Sequence, residues 1–309
     1  MTAEVHIGLD VGGTASRWTA CAADGIAIRS GTAPGASGHI FNPAEKLKLS
    51  NVLASIAEAL GNAGLRPVSL TAGLTGYGPP AADDLRQLAA ATLNIDPAAV
   101  LLVDDISLAY LTNFAPGEGH LVSAGTGSIG LHWSETGITR VGGRGILIDD
   151  AGSGSWIALR ALDRIYRSLD HTGSFTEVEP LARHLLAGVG GKDWQDVRSF
   201  VYGGDRGRIG TLATAAARAA EEGDPSALMI LEQAGAELAL LGKALVARIG
   251  ELPIGFIGGV LRLHPAIPAA IRASLPGSDV RLLDADASLA AARLQTIGEP
   301  GWRAILGQS

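Results

Sequence analysis

The chain runs to 309 residues, enough for two average domains, and its 47% hydrophobic content and 42 glycines mark a globular protein rich in tight turns. A net charge of −7 excludes the basic surface that a nucleic acid or an anionic membrane would need, so any phosphate must be held by backbone N–H groups or a metal. A single cysteine, Cys21, excludes an intrachain disulfide and a multi-cysteine cluster, and no apolar run nears the roughly 20 residues that span a bilayer.

Glu4, His6 and Asp10 interrupt the first apolar run, so no secretory leader is read and the cytoplasm is the expected compartment. Residues 4–11 and 15–22 read as strands joined by Gly12-Gly13-Thr14, with a third strand at Ile26–Arg29. The Gly-, Ala- and Pro-rich stretch Thr32–Pro43 is a loop of the kind that faces ligands. Apolar residues at helical spacing predict a helix over Ala44–Ala63, stopped by Gly64. A short strand at Val68–Leu70 follows, then a helix at Ala81–Leu93 opened by Asp83 and Asp84, whose charges suit a helix N-terminus. Val100–Val103 is a strand, and Asp104-Asp105 stand just past its end, where open α/β sheets place their chemistry.

The second half repeats this grammar. Strands are predicted at His120–Ala124, Ser128–Trp133 and Ile138–Val141, with the turn Gly125-Thr-Gly-Ser128 between the first two. Helices follow at about Ser155–Leu169, Val178–Leu186, Trp194–Phe200, Ile209–Glu222 and Ser226–Ile249. The last of these is announced by Asp224 as cap and Pro225 in the first turn. A buried strand Ile254–Ile257 ends in Gly258-Gly259, and after a final strand Val280–Leu283 the chain closes with helices at Asp286–Gln295 and Trp302–Leu306. Meanders followed by alternating strands and helices predict an α/β protein of two domains, 1–115 and 116–309.

Gly12-Gly13-Thr14 and Gly125-Thr126-Gly127-Ser128 are the strongest candidates for chemistry. Glycine lets backbone N–H groups approach an oxyanion closely, and the hydroxyls add donors. Gly125-x-Gly127-x-x-Gly130 also spells a dinucleotide fingerprint, but a strand rather than a helix follows it. A P-loop is excluded, since Gly191-Lys192 is followed by Asp193. Asp10 beside the first turn suits a magnesium ion, held directly or through water, or else an ordinary Asx turn. Of Asp104 and Asp105, one can cap the next helix while the other accepts a hydroxyl proton in phosphoryl transfer. Asp149 and Asp150 precede a helix start, where helix-dipole effects explain acidic residues as readily as a ligand does.

Together these segments look familiar. Asp10-Val-Gly-Gly-Thr14 resembles the first phosphate motif of the actin, sugar-kinase and heat-shock ATPase superfamily. Within it the chain resembles the BadF/BadG/BcrA/BcrD ATPase family, which contains the N-acetylglucosamine and glucosamine kinases. Val103-Asp-Asp-Ile-Ser-Leu-Ala109 resembles the second-phosphate segment, in which the position of Asp105 is the catalytic base, and Ser123-Ala-Gly-Thr-Gly-Ser128 matches the phosphate loop. Gly142-Gly-x-Gly145 and Asp150-x-Gly-Ser-Gly-x-Trp156 match the sugar-side segment, Ala220-Glu-Glu-Gly-Asp224 with Ala227 and Ile230 matches another recurrent pattern, and Gly258-Gly259 fits the adenosine motif.

The resemblance implies two ribonuclease-H-like domains, as in the actin-like ATPases, with ATP, Mg²⁺ and an amino sugar in an interdomain cleft. A last helix near 300–309 is free to pack back on the N-terminal domain. It further implies γ-phosphate transfer to a hexosamine, at the 6-hydroxyl. Asp105 is then the base, and Asp10 holds the metal. Gly12, Gly13, Thr14, Gly125, Thr126, Gly127 and Ser128 cradle phosphates, and Gly258 and Gly259 back the nucleotide. Thr75, Thr126, Asp150 and Asp105 face the sugar. No nucleic-acid or membrane partner is expected, and a homodimer is left open.

Three departures bear on the sugar. The loop Ala33–Gly38 lacks the family's asparagine, for which Ser37 is the available substitute. Arg144 stands where N-acetylglucosamine kinases carry tryptophan and glucosamine kinases arginine, and Ala151 replaces a glutamate. Asp149 beside Asp150 adds negative charge, which leans toward a cationic amino sugar. A second reading is a catalytically weak sugar- and ATP-binding regulator on the same fold. The family's iron–sulfur activators need cysteines, and Cys21 alone argues against that role.

Overall fold

The computed structural model describes residues 2–13, 15–204, 206–283 and 286–296. These divide into two compact units, one built on Met1–Ala115 and one on Pro116–Leu283.

In the first unit β1 (Ala3–Val11), β2 (Ala15–Cys21) and β3 (Ala27–Pro34) form an antiparallel meander. Helix α1 (Pro43–Gly61) starts where Asn42 accepts a hydrogen bond from the Ala44 N–H and Pro43 presets the first turn. Its apolar stripe Leu49, Val52, Leu53, Ile56 and Leu60 is buried, each side chain contributing about 1.5–3 kcal/mol of transfer energy. Strand β4 (Leu65–Leu74) runs parallel to β1, and β5 (Val100–Asp104) parallel to β4, with α2 (Ala82–Leu93) between them and α3 (Asp105–Leu111) after. Strand β4 is longer than its sequence predicts because it accommodates Pro67. Pro67 pairs with Val5, and the register with β1 shifts by one residue just after it, leaving Val68 as the extra residue of a bulge. The sheet order is β3-β2-β1-β4-β5.

The second unit repeats this plan. Strands β6 (His120–Ala124), β7 (Ser128–Ser134) and β8 (Gly137–Gly142) are antiparallel neighbours. Helix α4 (Gly154–Thr172) is capped by Ser153 and ends at Gly173 in a left-handed conformation. Helices α5 (Glu179–Val189), α6 (Trp194–Tyr202), α7 (Arg206–Gly210) and α8 (Ala213–Glu221) follow. The single helix expected at Ile209–Glu222 is thus two, broken at Thr211-Leu212. Helix α9 (Pro225–Ile249) begins at Asp224, a buried cap that accepts from the Ser226 and Ala227 N–H groups and from Leu181 N of α5. Strands β9 (Ile254–Ile257) and β10 (Val280–Leu282) flank α10 (Ala266–Ser274) and pair in parallel, giving the order β10-β9-β6-β7-β8.

The chain then returns to the first unit, which corrects the expected 116–309 boundary. Helix α11 (Ser288–Arg293) packs on β1 and β2, so closely that a Cβ on Gly8 would lie 1.9 Å from the Ser288 carbonyl oxygen. Ser288 Oγ is 2.8 Å from Thr19 Oγ1, and Arg293 Nε donates to Gly25 O at 2.9 Å. Gln295 Nε2 donates to Leu70 O of β4. The helix expected at Trp302–Leu306, and the proposed return of 300–309, lie outside the described residues.

Candidate functional site

The first unit gathers its candidates at the carboxyl ends of β1, β4 and β5. Three loops are tied together there by backbone hydrogen bonds. Ala36 N donates to Gly12 O at 3.2 Å, Thr75 N to Val11 O at 3.0 Å, and Gly38 N to Thr75 O at 2.8 Å. Gly12 is held against Ala15 O, whereas a Cβ on Gly13 would meet nothing within 4 Å, so that side of the turn is open to a ligand. Thr14 lies outside the described residues.

Asp104 and Asp105 divide their work. Asp104 Oδ1 accepts from Ser107 N at 2.8 Å and caps α3. Asp105 receives hydrogen bonds from the Thr75 hydroxyl and from Ile106 N. Burial, with Asp104 beside it, still holds its carboxyl above the usual carboxylate range. Asp10, at the end of β1, is pushed up to about 7, chiefly by burial and then by the charge of Asp105. Asp286 adds to this, and Arg17, its cross-strand neighbour, opposes it. A carboxylate poised above its ordinary range beside a threonine hydroxyl is suited to accept a proton from an alcohol.

Asp286 and Arg17 are participants that the motifs did not name. Arg17 was readable from the hairpin register opposite Asp10, but Asp286 arrives only with the returning chain. Ser37 does not stand in for the missing asparagine. It is buried, its Oγ donates to Glu45 Oε2 at 2.7 Å, and it accepts from His39 N.

The second unit builds its site on the turn after β6. Gly125 N donates to Gly127 O at 2.9 Å, closing the turn, and the first N–H groups of α4 anchor it. Gly154 N bonds Gly125 O at 2.9 Å, and Ser155 N bonds Thr126 O at 3.3 Å. Ser128 differs from its expected role as a phosphate donor. Its Oγ donates to Ala151 O at 2.7 Å and its N–H to the Asp150 carboxylate, so both donors are engaged inside the unit. Asp150 also accepts from the Gly145 N–H, and burial raises its carboxyl above the usual range while Arg206 opposes the shift. Its Oδ2 is buried without a hydrogen-bond partner and faces Gly127, where a Cβ would sit 2.9 Å away. Gly258 takes φ +114°, and a Cβ there would lie 2.2 Å from Ala124 O. Only glycine can bring that loop so close to the turn. Gly259 beside it is open.

The expected excess of negative charge is corrected. Asp149 is paired with Arg144, whose Nη1 lies 2.5 Å from Oδ2 and whose N–H donates to Oδ1, while Asp150 has Arg206 Nη1 at 3.8 Å. Each carboxylate therefore has its own arginine. A separate cavity of about 470 Å³ between α4 and α9 is lined by Trp156, Arg160, Asp163 and Glu237 among others and includes no residue of either turn.

A five-stranded sheet of the same order in each unit, with a glycine turn after the first strand, defines an α/β protein of the actin-like ATPase and sugar-kinase fold. The chain belongs to the BadF/BadG/BcrA/BcrD ATPase family, whose model matches residues 7–276. A solved structure from Chromobacterium violaceum, provisionally named an N-acetylglucosamine kinase, superposes with a TM-score of 0.72 at 27% identity. The match covers 96% of this chain and 100% of that one. A ROK family glucokinase from Streptomyces griseus, in complex with glucose and AMPPNP, shares the fold at 16% identity with a TM-score of 0.62, covering 94% and 98% of the two chains. An N-acetylmuramic acid/N-acetylglucosamine kinase of Clostridium acetobutylicum is 31% identical over 150 residues. That match spans about half of each chain, 48% of this one and 48% of the relative.

Among the described residues no helix is long and apolar enough to cross a membrane. Nor do three His, Cys, Asp or Glu side chains converge on a metal-sized gap.

Proposed function

We propose that the chain is an ATP-dependent amino-sugar kinase that transfers the γ-phosphate to the 6-hydroxyl of N-acetylglucosamine or glucosamine. The observation that carries this reading is Asp105. Its carboxyl is raised by burial, oriented by the Thr75 hydroxyl, and set beside Asp10 at the mouth of a glycine turn. In this reading Asp105 accepts the sugar hydroxyl proton as the hydroxyl oxygen attacks phosphorus and ADP leaves. Gly13, Thr126 and Gly127 present backbone N–H groups to phosphate oxygens, with Gly12 and Gly125 closing the two turns by their own N–H bonds. Gly258 and Gly259 back the nucleotide, and Thr75 and Asp150 hold the sugar. Mg²⁺ brought with the nucleotide would be held through Asp10 and would neutralise charge on the phosphates.

The paired state of Asp149 and Asp150 removes the electrostatic case for a cationic sugar and favours the neutral N-acetyl sugar. The provisional name of the Chromobacterium violaceum structure supports the same choice. A coupled ADP-release assay over N-acetylglucosamine, glucosamine, N-acetylmuramic acid and glucose tests the proposal. Turnover highest with an amino sugar is the expected result. Tight sugar binding with no turnover on any of them would instead make the chain a sugar-binding regulator.

A further inference from the structure

Asp150 Oδ2 is a buried carboxylate oxygen that no hydrogen bond satisfies, and it faces the α-carbon of Gly127. Arg206 Nη1 stands 3.8 Å from it, outside hydrogen-bond reach, on a side chain that is 55% exposed. The arginine's backbone is firmly placed. Ser155 Oγ donates to Arg206 O at 3.0 Å, and Gly210 at the other end of α7 seats against Ser155 and the Thr126 methyl. Helix α7 is thus fastened both to the start of α4 and to the Gly125–Ser128 turn.

This arrangement has an electrostatic consequence. A buried carboxylate pressed against Gly127 repels any anion that settles on the turn's N–H groups, and no lysine lies in the turn to offset it. A guanidinium carries five N–H donors in a planar fork, so one edge can hold a carboxylate while another holds a phosphate. Arg206 has the reach, the exposure and the neighbour for that geometry.

We propose that Arg206 is a nucleotide-binding residue that bridges Asp150 Oδ2 and a terminal phosphate oxygen of ATP at the Gly125–Ser128 turn. The inference rests on the kinase reading above, because it takes the turn to be a phosphate cradle. It adds a residue that neither the motifs nor the glycine turns identify, and it gives the orphaned carboxylate oxygen a partner in the loaded state. In this role Arg206 lets a turn without its own cation accept a phosphate beside a buried negative charge.

Titration calorimetry on the full chain, with ADP and a non-hydrolysable ATP analogue in Mg²⁺ and separately with N-acetylglucosamine, tests this. Arg206→Ala is expected to weaken nucleotide binding about ten-fold, the size of a charge-assisted contact, and to weaken sugar binding, which reaches Arg206 only through Asp150, clearly less. Arg206→Gln, which keeps the length and removes the charge, should show the same split and covers the case in which the alanine variant does not fold. Arg167→Ala, which removes an equal charge from the exposed far end of α4, is the control and should leave nucleotide affinity unchanged. Nucleotide affinity equal to wild type in both Arg206 variants overturns the proposal. So does an equal loss for nucleotide and sugar with a lowered melting temperature, which would mark Arg206 as structural. A wild-type chain that binds no nucleotide would instead overturn the kinase reading together with this one.

Discussion

At the turn after β1, Asp105 and Asp286 crowd Asp10 with Arg17 as an opposing cation, and the carboxyl of Asp10 is pushed up to about 7. At the turn after β6, Asp149 is bonded to Arg144 and Asp150 lies beside Arg206. Two turns on the same strand frame are therefore balanced differently, the first left acidic and the second matched charge for charge. An acidic cluster that resists full ionisation costs folding energy, and that cost is relieved when a proton or a divalent cation enters. At the second turn burial also raises Asp150, but Arg144 and Arg206 stand beside the two carboxylates, so protein cations rather than a bound metal moderate the charge that an incoming anion meets. On the kinase reading proposed above, the first unit would supply the proton acceptor and the second a turn that receives phosphate.

The harshest way to break this contrast is Asp105→Asn. It should lower turnover by about 10²-fold or more and leave nucleotide affinity nearly intact, because it removes the base without touching the turns. The pH profile of wild-type kcat/KM should fall on the acid side as Asp105 takes up a proton, at a pH above that of an ordinary aspartate. Near-normal turnover in Asp105→Asn would remove the first unit's claim to the proton.

Gly127→Ala addresses the second unit. The new methyl would sit 2.9 Å from Asp150 Oδ2, and the carboxylate is tied to the Ser128 and Gly145 N–H groups, so it cannot swing away without loss. An overpacking cost of roughly 1–3 kcal/mol should lower folding stability, and the displaced turn should weaken nucleotide binding about ten-fold, measured by calorimetry. An unchanged affinity would mean that the phosphate does not approach Gly127.

What a short run of chain can fold by itself was legible beforehand. Asp10-Val-Gly-Gly-Thr14 and Gly125–Ser128 announced their hairpins, and Asp105 announced itself by standing past a buried strand. The cross-strand pair Asp10 and Arg17 follows from that hairpin's register. The rest depends on groups that only tertiary folding brings together. Arg206 meets Asp150 because α7 is fastened to Ser155, and Asp286 meets Asp10 because the chain returns to β1 after completing the second sheet. Strand β4 was underestimated because Pro67 reads as a strand breaker and the bulge at Val68 after it has no signature of its own. Asp149 was misjudged as added charge although Arg144 lies five residues before it, within reach of a tight turn.

Asp10→Asn sharpens the contrast from the side of stability. The folded carboxyl is raised to about 7 from an ordinary 3.8, so ionising it in the fold is unfavourable. That cost is fully present above pH 7 and disappears as the pH falls toward 4, since below the ordinary value both folded and unfolded chains are protonated. The asparagine variant should therefore be more stable at pH 8 by about 1–3 kcal/mol, discounted for partial exposure, and no more stable near pH 4. Denaturant titrations at the two pH values measure this. The same variant should lose Mg²⁺-dependent turnover, so the stability gain and the functional loss arise from one charge.

The gentlest test is Asp149→Asn. Asp149 and Arg144 form an exposed pair, with the arginine side chain 64% accessible, and such pairs contribute about 0–1 kcal/mol. If the pair cancels its own charge, removing the carboxylate leaves Arg144 unbalanced but changes little that a neutral sugar would sense. The ratio of kcat/KM for glucosamine to that for N-acetylglucosamine should then shift by less than about two-fold at pH 7, within the range expected of an exposed ion pair. A ten-fold drop confined to glucosamine would show that Asp149 acts on the sugar as a free charge despite Arg144. The second unit's balance would then be only local, and a cationic sugar would again be the better candidate.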